Sequence, residues 1–492
     1  MCGAELHSLP EGVQRVAQAL QALDYPVRAW TRSPHPQAAV PLMVGREALG
    51  DFVSGCAVLV NLLPLTPDTE GLLDHALLSR LPRGAMLVNV ARGAHLVDED
   101  LLALLDSGHI ARAWLDVFRQ EPLPAAHRFW RHPSVHLTPH TSARTLRGPS
   151  VAQIAQAIAA IERGGQYLLS YGITSCMEAA AGMRAGFREI AAYHKAKRDG
   201  RLPVRTWLAL LGDPGKSIVP QCVEAGLVAG TGDEMLSVGG VKYFLDGSAG
   251  GRTAWMSEPY LNEPDNTGVK MLEDHEIEAL CLEAHRHGFQ LVCHAIGDAA
   301  IGQLITAYEK ALAAHPDPDR RHRIEHCGFS TEAQHKRMVA AGIYPCPQQV
   351  FIHDFGDAYV AALGPEKAKP SYPFRTWFDL GLKPATGSDA PVCDPDPFPN
   401  FHAMLTRQTW RGTVMDARQC VSIEEALQAY TEFGAFSQKE EHRKGRLVPG
   451  MLADVAVFSR NLLEATPAEI WKDTRCDLTI LGGKVVFERP AG

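Results

Sequence analysis

The 492-residue sequence has no apolar run long enough to span a membrane and no C-x-x-C pair among its 11 cysteines. The first absence excludes an integral membrane protein. Scattered, unpaired cysteines are typical of reduced thiols in a cytoplasmic protein. The first residues have neither the basic nor the apolar region of a signal peptide. We therefore expect a soluble cytoplasmic protein.

Positive charge is also scarce, because the sequence has 48 Lys and Arg but 56 Asp and Glu, which gives a net charge of −8. This balance argues against nucleic acid and anionic membranes as partners. The 46% hydrophobic and 21% charged fractions are those of a globular protein. A chain of this length exceeds one ordinary core. We expect two or more domains and a small-molecule substrate, and the sequence leaves a homo-oligomer open.

Residues 1–165 alternate short strand-like and helical patterns, which favours a parallel sheet with helices on both faces. The predicted strands are 25–30, 57–64, 85–92, 111–118 and 134–140. The helix predicted at 148–163 is followed by Gly164 and Gly165, which are typical of a helix end. The pattern predicts a partial Rossmann-type, doubly wound α/β domain that ends near residue 165.

Three polar residues follow the later strands of this domain, namely Arg92, Glu121 and His140. An Arg fork can bind an α-keto acid through its carboxylate and carbonyl. A His with a carboxylate neighbour can transfer the proton that accompanies hydride transfer. Each residue alone is also a common surface or capping residue.

The motifs NVARG, LDVFRQEPLP and LTPHTSA resemble the nicotinamide domain of D-2-hydroxyacid dehydrogenases, in the glyoxylate/hydroxypyruvate reductase branch, over about 11–163. The resemblance implies that Arg92 binds substrate, that Glu121 partners His140 and that His140 is the acid/base. It also implies that Asp116 faces the nicotinamide and that Arg32 favours NADP over NAD. The G-x-G-x-x-G turn that holds the pyrophosphate is missing, so we expect a truncated domain and weak cofactor binding.

Four polar residues in the second part of the chain follow short apolar runs: Lys242, His294, His326 and Asp389. In a (β/α) barrel, residues at the carboxyl ends of different strands meet at one mouth. Two imidazoles, a carboxylate and a lysine that is carbamylated can bind a divalent metal. Taken singly, each residue is more often a core histidine, a rim residue or a cap.

The motifs GGVKYFLDGS, CHAIGD, RIEHC and GSDAPV resemble strands four, five, six and eight of the amidohydrolase superfamily, in its amidohydrolase-3 group, over about 167–490. The resemblance implies a TIM-type barrel at 166–440 with strands two to eight, and sandwich strands at 441–492. It implies zinc held by carbamylated Lys242, His294, His326 and Asp389. Asp389 would also act as the base, in an enzyme that hydrolyses non-peptide carbon–nitrogen bonds.

Strand one of that family, which carries an H-x-H metal-binding pair, has no counterpart here. The one H-x-H, His285 to His287, ends a helix predicted at 273–288, where such residues suit the helix dipole. One metal, two or none therefore remain open. The open alternatives are an NAD(P)-dependent 2-hydroxyacid dehydrogenase and a catalytically impaired fusion of two truncated domains. Weaker candidates for substrate contacts are Asp246, Asp298, His353 and Arg375.

Overall fold

The computed structural model describes residues 16–17, 20–21, 24–32, 40–138 and 147–490. By its internal contacts the chain divides into two compact units, residues 1–147 and 148–492. Within the described residues, no helix is long and apolar enough to cross a membrane.

The first unit contains a parallel sheet of four strands in sequence order. This sheet consists of β3 (Val58–Asn61), β4 (Ala85–Asn89), β5 (Ile110–Leu115) and β6 (Val135–Leu137). Two earlier strands, β1 (Ala29–Thr31) and β2 (Leu42–Val44), form a separate parallel pair. The helices are α1 (Leu49–Ser54), α2 (His75–Leu78) and α3 (Asp98–Asp106), with 3-10 turns at Arg46–Ala48, Gly93–His95 and Arg128–Trp130. Acidic residues occupy the first turn of α3, where they suit the positive end of the helix dipole.

The second unit is organised around an open, curled sheet of six parallel strands, each paired with its neighbour in sequence. The strands are β7 (Ser175–Ala181), β8 (Arg205–Leu211), β9 (Leu236–Lys242), β10 (Gln290–Ala295), β11 (Arg323–His326) and β12 (Tyr344–Cys346). All seven residues of β8 are buried. Both of its faces are covered, which is the position of a strand inside a barrel wall.

Helices surround this sheet. They are α4 (Arg147–Leu169), α5 (Phe187–Arg198), α6 (Val219–Glu224), α7 (Asp274–Arg286), α8 (Asp298–Ala314), α9 (Glu332–Ala341), α10 (Val350–Leu363), α11 (Pro365–Ala368), α12 (Phe374–Asp379), α13 (Pro397–Thr406), α14 (Ile423–Tyr430), α15 (Glu432–Ser437) and α16 (Pro467–Asp473), with a 3-10 turn at Ala417–Gln419. The strands β13 (Val455–Phe458), β14 (Cys476–Leu481) and β15 (Lys484–Glu488) form a small antiparallel sheet. The architecture is that of an α/β protein with an incomplete barrel.

The predicted eighth barrel strand is wrong as a strand, because residues 382–389 join no sheet. Pro384 has no N–H to donate to a ladder. The N–H of Thr386 donates instead to Ala429 O at 3.3 Å, and Gly387 O accepts from Asn400 Nδ2 at 3.0 Å. The backbone of this extended segment is therefore partly committed to helices α13 and α14.

The predicted helix end at Gly164 and Gly165 is also wrong, since α4 continues through both to Leu169. A Cβ on Gly165 would lie 2.7 Å from Cδ of Pro203. The glycine lets the helix approach Pro203 closely, and this contact offsets the weak helix propensity of glycine.

Candidate functional site

The metal-site residues predicted from the sequence gather at the carboxyl edge of the six-stranded sheet. Lys242 and His326 are the last residues of β9 and β11, and His294 is the penultimate residue of β10. Asp389 ends the extended segment 382–389 in the left-handed region, at φ 58°. Because the strands are parallel and adjacent, these ends lie side by side.

The two imidazoles are neighbours, with ring centroids 4.4 Å apart and planes at 67°. His294 Nε2 lies 3.0 Å from Gly247 O, so Nε2 carries the hydrogen because a carbonyl only accepts. Asp246 Oδ1 lies 3.1 Å from the same nitrogen. Nδ1 of His294 is therefore the nitrogen with a free lone pair.

His326 is held in the opposite tautomer, with its hydrogen on Nδ1. Its Nδ1 lies 2.6 Å from Gln348 Oε1, and the Gln348 amide nitrogen donates to Cys346 O at 3.2 Å, which sets the orientation of the amide. His326 Nδ1 thus donates, and its Nε2 keeps the lone pair. Burial, with smaller effects of His294 and Lys242, holds the pKa of His326 well below its usual value. The ring is neutral, which is the form that binds metals.

Lys242 is buried beside these rings, with Nζ 5.0 Å from the centroid of the Phe244 ring. Burial lowers the pKa of Lys242, while Glu325 and then Asp389 act in the opposite direction. A lowered pKa increases the fraction of neutral amine, and the neutral amine is the form that CO2 carbamylates. The environment of Lys242 fits the modification implied by the resemblance.

Asp389 completes the predicted set and is largely enclosed. Burial raises its pKa, whereas Lys242 and His294 lower it and Glu325 raises it further. A raised pKa makes the carboxylate a stronger base toward a nearby proton donor. This is the behaviour that the predicted general base requires.

The sequence analysis missed two acidic side chains of this edge. Asp213 follows β8 and accepts the Phe244 N–H at 3.1 Å, and burial raises its pKa. Glu325, one residue before His326, receives Arg323 Nε and Nη2 at 2.9 and 2.7 Å. An isolated Asp after a strand is too common to be singled out, so no sequence signal marked Asp213. The spacing of Arg323 and Glu325 on one strand face was a signal that could have been used.

The structure gives Asp246 more specific contacts than the sequence predicted. It is buried and accepts the N–H groups of Trp255 and Ile296 at 3.0 Å and that of Gly297 at 2.8 Å, besides approaching His294. It therefore joins the ends of β9 and β10 and orients the imidazole.

The other weak candidates have structural partners. Asp298 accepts the Ser257 N–H at 2.9 Å, and Arg375 Nη1 donates to Glu425 at 2.6 Å. His353 lies within helix α10 and not on a loop, and its Nδ1 lies 2.7 Å from Asp354 Oδ1.

The H-x-H segment is structural, as the helix-terminus interpretation predicts. His285 Nε2 donates to His315 O at 2.7 Å, and His285 Nδ1 lies 3.0 Å from His322 Nε2. Leu291 N–H donates to His322 Nδ1 at 3.0 Å. Both rings are satisfied by the protein.

Within the described part of the chain, no three His, Cys, Asp or Glu side chains lie close enough to hold a metal ion. His294 and His326 supply two lone pairs, and a carbamate on Lys242 would supply a third donor. Three protein ligands with an open position are the usual set for catalytic zinc. Both imidazoles donate their other N–H to an oxygen, as metal-binding histidines generally do. Together with that carbamate, the two imidazoles would fit one divalent metal.

A cavity of about 1480 Å³ begins at this cluster. Its lining includes Lys242, His326 and Asp389 at one end. Its lining also includes residues of β7, of α4 and the turn after it, and of the chain segments 385–397 and 444–458. The cavity gives the cluster room for a small molecule.

The candidate dehydrogenase residues of the first unit also lie beyond strand ends. Arg92 follows β4, and its Nη1 donates to Ala91 O at 2.7 Å. Asp116 follows β5, is buried, and accepts the hydroxyl hydrogen of Thr138, which follows β6. Glu121 Oε1 accepts the Phe118 N–H at 2.9 Å.

The other two predicted residues of that site are Arg32 and His140. Arg32 is exposed and forms an ion pair with Asp68 at 2.5 Å, so its guanidinium is engaged where a 2′-phosphate was predicted. His140 lies outside the residues that the structure describes.

Comparison with known families gives two adjacent matches. Residues 140–487 match the amidohydrolase family. Residues 13–142 match the D-isomer specific 2-hydroxyacid dehydrogenase, NAD binding domain. The two matches meet near the division between the two compact units.

Two solved structures of uncharacterized metal-dependent hydrolases resemble the chain in fold. That from Pyrococcus furiosus is 22% identical with a TM-score of 0.54, and the match covers 85% of this chain and 88% of that one. That from Pyrococcus horikoshii OT3 is 19% identical with a TM-score of 0.57, covering 92% of each chain.

A D-isomer specific 2-hydroxyacid dehydrogenase from Xanthobacter autotrophicus Py2, solved with NADPH and MES, is 42% identical with a TM-score of 0.29. The match covers 30% of this chain and 61% of that one. The chain thus spans less than two thirds of that dehydrogenase.

Proposed function

Because the chain belongs to the amidohydrolase family, we propose that its second unit is a metal-dependent hydrolase of non-peptide carbon–nitrogen bonds. The observation that carries the proposal is the pair of imidazoles, His294 and His326, at the carboxyl edge of the sheet. Each has one nitrogen committed to an oxygen and one lone pair free, beside a buried lysine.

In this proposal His294, His326 and carbamylated Lys242 hold one divalent metal, with zinc as the ion. When bound, the metal polarises the substrate carbonyl and lowers the pKa of water. Asp246 and Gln348 keep the two rings in the required tautomers. Changing such supporting residues commonly lowers metal affinity by about 10–100-fold.

Asp389 carries the proton in this scheme. Its raised pKa suits a carboxylate that takes a proton from the attacking water and releases it to the leaving nitrogen. The cavity lined by Lys242, His326 and Asp389 has room for the substrate. The part of the substrate that carries the carbonyl would lie at the strand ends.

The test is elemental analysis of the full chain, purified without a tag and in the presence of bicarbonate and zinc. We expect about one metal per chain, and His294→Ala and His326→Ala should each lose most of it. His287→Ala is the matched control, because His287 is exposed at the end of α7 and should leave the metal content unchanged. A wild-type chain without metal would overturn the proposal and favour an impaired fusion. Full occupancy in either variant would remove that histidine from the ligand set.

A further inference from the structure

Arg407, which directly follows helix α13, is a completely buried cation. Its Nη1 donates to Gln349 Oε1 at 2.9 Å and to Tyr372 O at 3.1 Å. Its Nη2 donates to Ser371 O at 2.6 Å and to Lys369 O at 3.2 Å. These acceptors are all neutral, and burying a charge among neutral groups costs free energy. Stability alone therefore does not explain why a cation lies here.

One contact of Arg407 leads to the hydrogen-bond partner of His326. Gln349 is completely buried, and both ends of its amide are held, because Oε1 accepts from Arg407 and Nε2 donates to Tyr372 O at 3.1 Å. The adjacent residue, Gln348, is the one whose Oε1 accepts from His326 Nδ1 at 2.6 Å. Holding the Gln349 side chain also holds the backbone turn between β12 and α10. This turn sets where the Gln348 amide meets the His326 ring.

A second contact of Arg407 leads to the backbone that follows β11. His326 and Cys327 both lie in the left-handed region, at φ 70° and 53°. This conformation is strained for residues that have a side chain, and it persists where surrounding contacts hold it. Gly328 O accepts the Tyr372 N–H at 2.7 Å, while Tyr372 O accepts from Arg407. The strained turn is therefore tied to the loop that Arg407 binds.

We propose that Arg407 is a positioning residue that holds the His326 ring in the orientation and tautomer needed to bind a metal. It acts through the two sets of hydrogen bonds described above, and its guanidinium is committed to protein oxygens. Residues that support a metal ligand in this way commonly change metal affinity by about 10–100-fold. The metal-binding part of this inference rests on the proposed function, whereas the orientation of the ring does not.

The first test follows the His326 N–H in the metal-free full chain by nitrogen-edited proton NMR. A buried imidazole N–H that is bonded to an amide oxygen gives a downfield signal, which is assigned by its absence from His326→Ala. We expect Arg407→Met to shift or remove this signal. Arg205→Met is the matched control, because it removes another buried guanidinium, at the first residue of β8 and thus at the opposite edge of the sheet. The control should leave the signal in place.

The second test is the zinc Kd of the same proteins, measured by competition with a chromophoric chelator in bicarbonate at a temperature where all are folded. Arg407→Met should raise the Kd at least about tenfold, and Arg205→Met should leave it unchanged. Arg407→Lys keeps a cation with three donors and should restore part of the affinity. If Arg407→Met does not fold, Gln349→Met serves instead, because it breaks the link between Arg407 and the turn that carries Gln348.

The two tests separate this inference from the proposed function. If the parent chain binds zinc, an unchanged His326 signal or an unchanged zinc Kd in the folded variant would overturn the positioning role. Equal effects in Arg205→Met would mean a general loosening of the fold and would overturn it as well. A parent chain that binds no zinc, but whose His326 signal shifts in Arg407→Met and not in Arg205→Met, would overturn the metal site and support the orienting role.

Discussion

Arg205 and Asp454 form a buried bidentate ion pair that joins the first residue of β8 to the residue preceding β13. Arg205 Nε lies 2.7 Å from Asp454 Oδ2, and Nη2 lies 2.9 Å from Oδ1. The side chains are 5% and 9% exposed, so neither charge can turn to solvent if its partner is removed. Asp454 Oδ1 also accepts the Gly482 N–H at 2.8 Å. This pair holds the small C-terminal sheet against the parallel sheet.

We expect Asp454→Ala to lower the free energy of unfolding of the second unit by about 3 kcal/mol, because it leaves a buried guanidinium uncompensated. The measurement is urea unfolding followed by circular dichroism. The control is Asp477→Ala, which removes an exposed ion pair with Arg489 at 2.7 Å. An exposed pair contributes about 0–1 kcal/mol, so the control should change little. Equal losses in the two variants would contradict the assigned role.

The strand ends that carry Lys242, His294 and His326 could be predicted from the sequence, because each follows a short apolar run. The helix predicted at 273–288 is confirmed as Asp274–Arg286. These segments have local patterns strong enough to fix their structure, namely a helical apolar stripe or a β run ended by a polar residue.

The predictions that were wrong or incomplete concern residues whose structure depends on tertiary contacts. The segment 382–389 was predicted as a strand from its resemblance to the family's strand eight, but part of its backbone bonds to α13 and α14, which only the tertiary structure reveals. Gly164 and Gly165 have a local preference for ending a helix, and packing against Pro203 overrides it. Asp213 was missed because its position matters only once β8 and β9 are adjacent.

Acid sensitivity should follow from two buried histidines in contact, His285 in α7 and His322 just before β11. Burial lowers the pKa of His285, and burial with the charges of His285 and Arg320 lowers the pKa of His322 well below 6.5. The unfolded chain therefore binds protons below about pH 6.5 that the folded chain does not. Stability is complete above that pH and falls as the pH decreases, by at most about 1.4 kcal/mol per unit for each group.

We therefore expect His322→Gln to lower the stability at pH 7.5 but to reduce its loss between pH 6.5 and 5. Urea midpoints measured at several pH values give both quantities. The exposed His287→Ala should leave the pH dependence as it is in the parent protein. A His322→Gln protein with an unchanged pH dependence would mean that His322 does not titrate differently in the folded and unfolded states.

Dinucleotide binding by the first unit can be tested by thermal unfolding. A ligand at 100 times its Kd stabilises a protein by about 2.7 kcal/mol, which a thermal melt detects readily. We expect 1 mM NADPH to leave the melting temperature unchanged, which would put any Kd for NADPH at about 1 mM or above. There are three reasons for this expectation. The sequence lacks the glycine turn, and Arg32 is paired with Asp68. The described strands β3 to β6 also run in sequence order, with no reversal that would form a cofactor crevice.

The variants Asp68→Ala and Arg32→Ala separate these causes. If only the ion pair blocks the cofactor, Asp68→Ala should gain a shift with NADPH, and the double variant with Arg32→Ala should lose it again. If the missing glycine turn is decisive, none of the proteins should respond. A shift in the parent protein that disappears in Arg32→Ala would contradict the expectation. It would revive the NADP-dependent dehydrogenase hypothesis, with Arg92, Glu121 and His140 as the next residues to change.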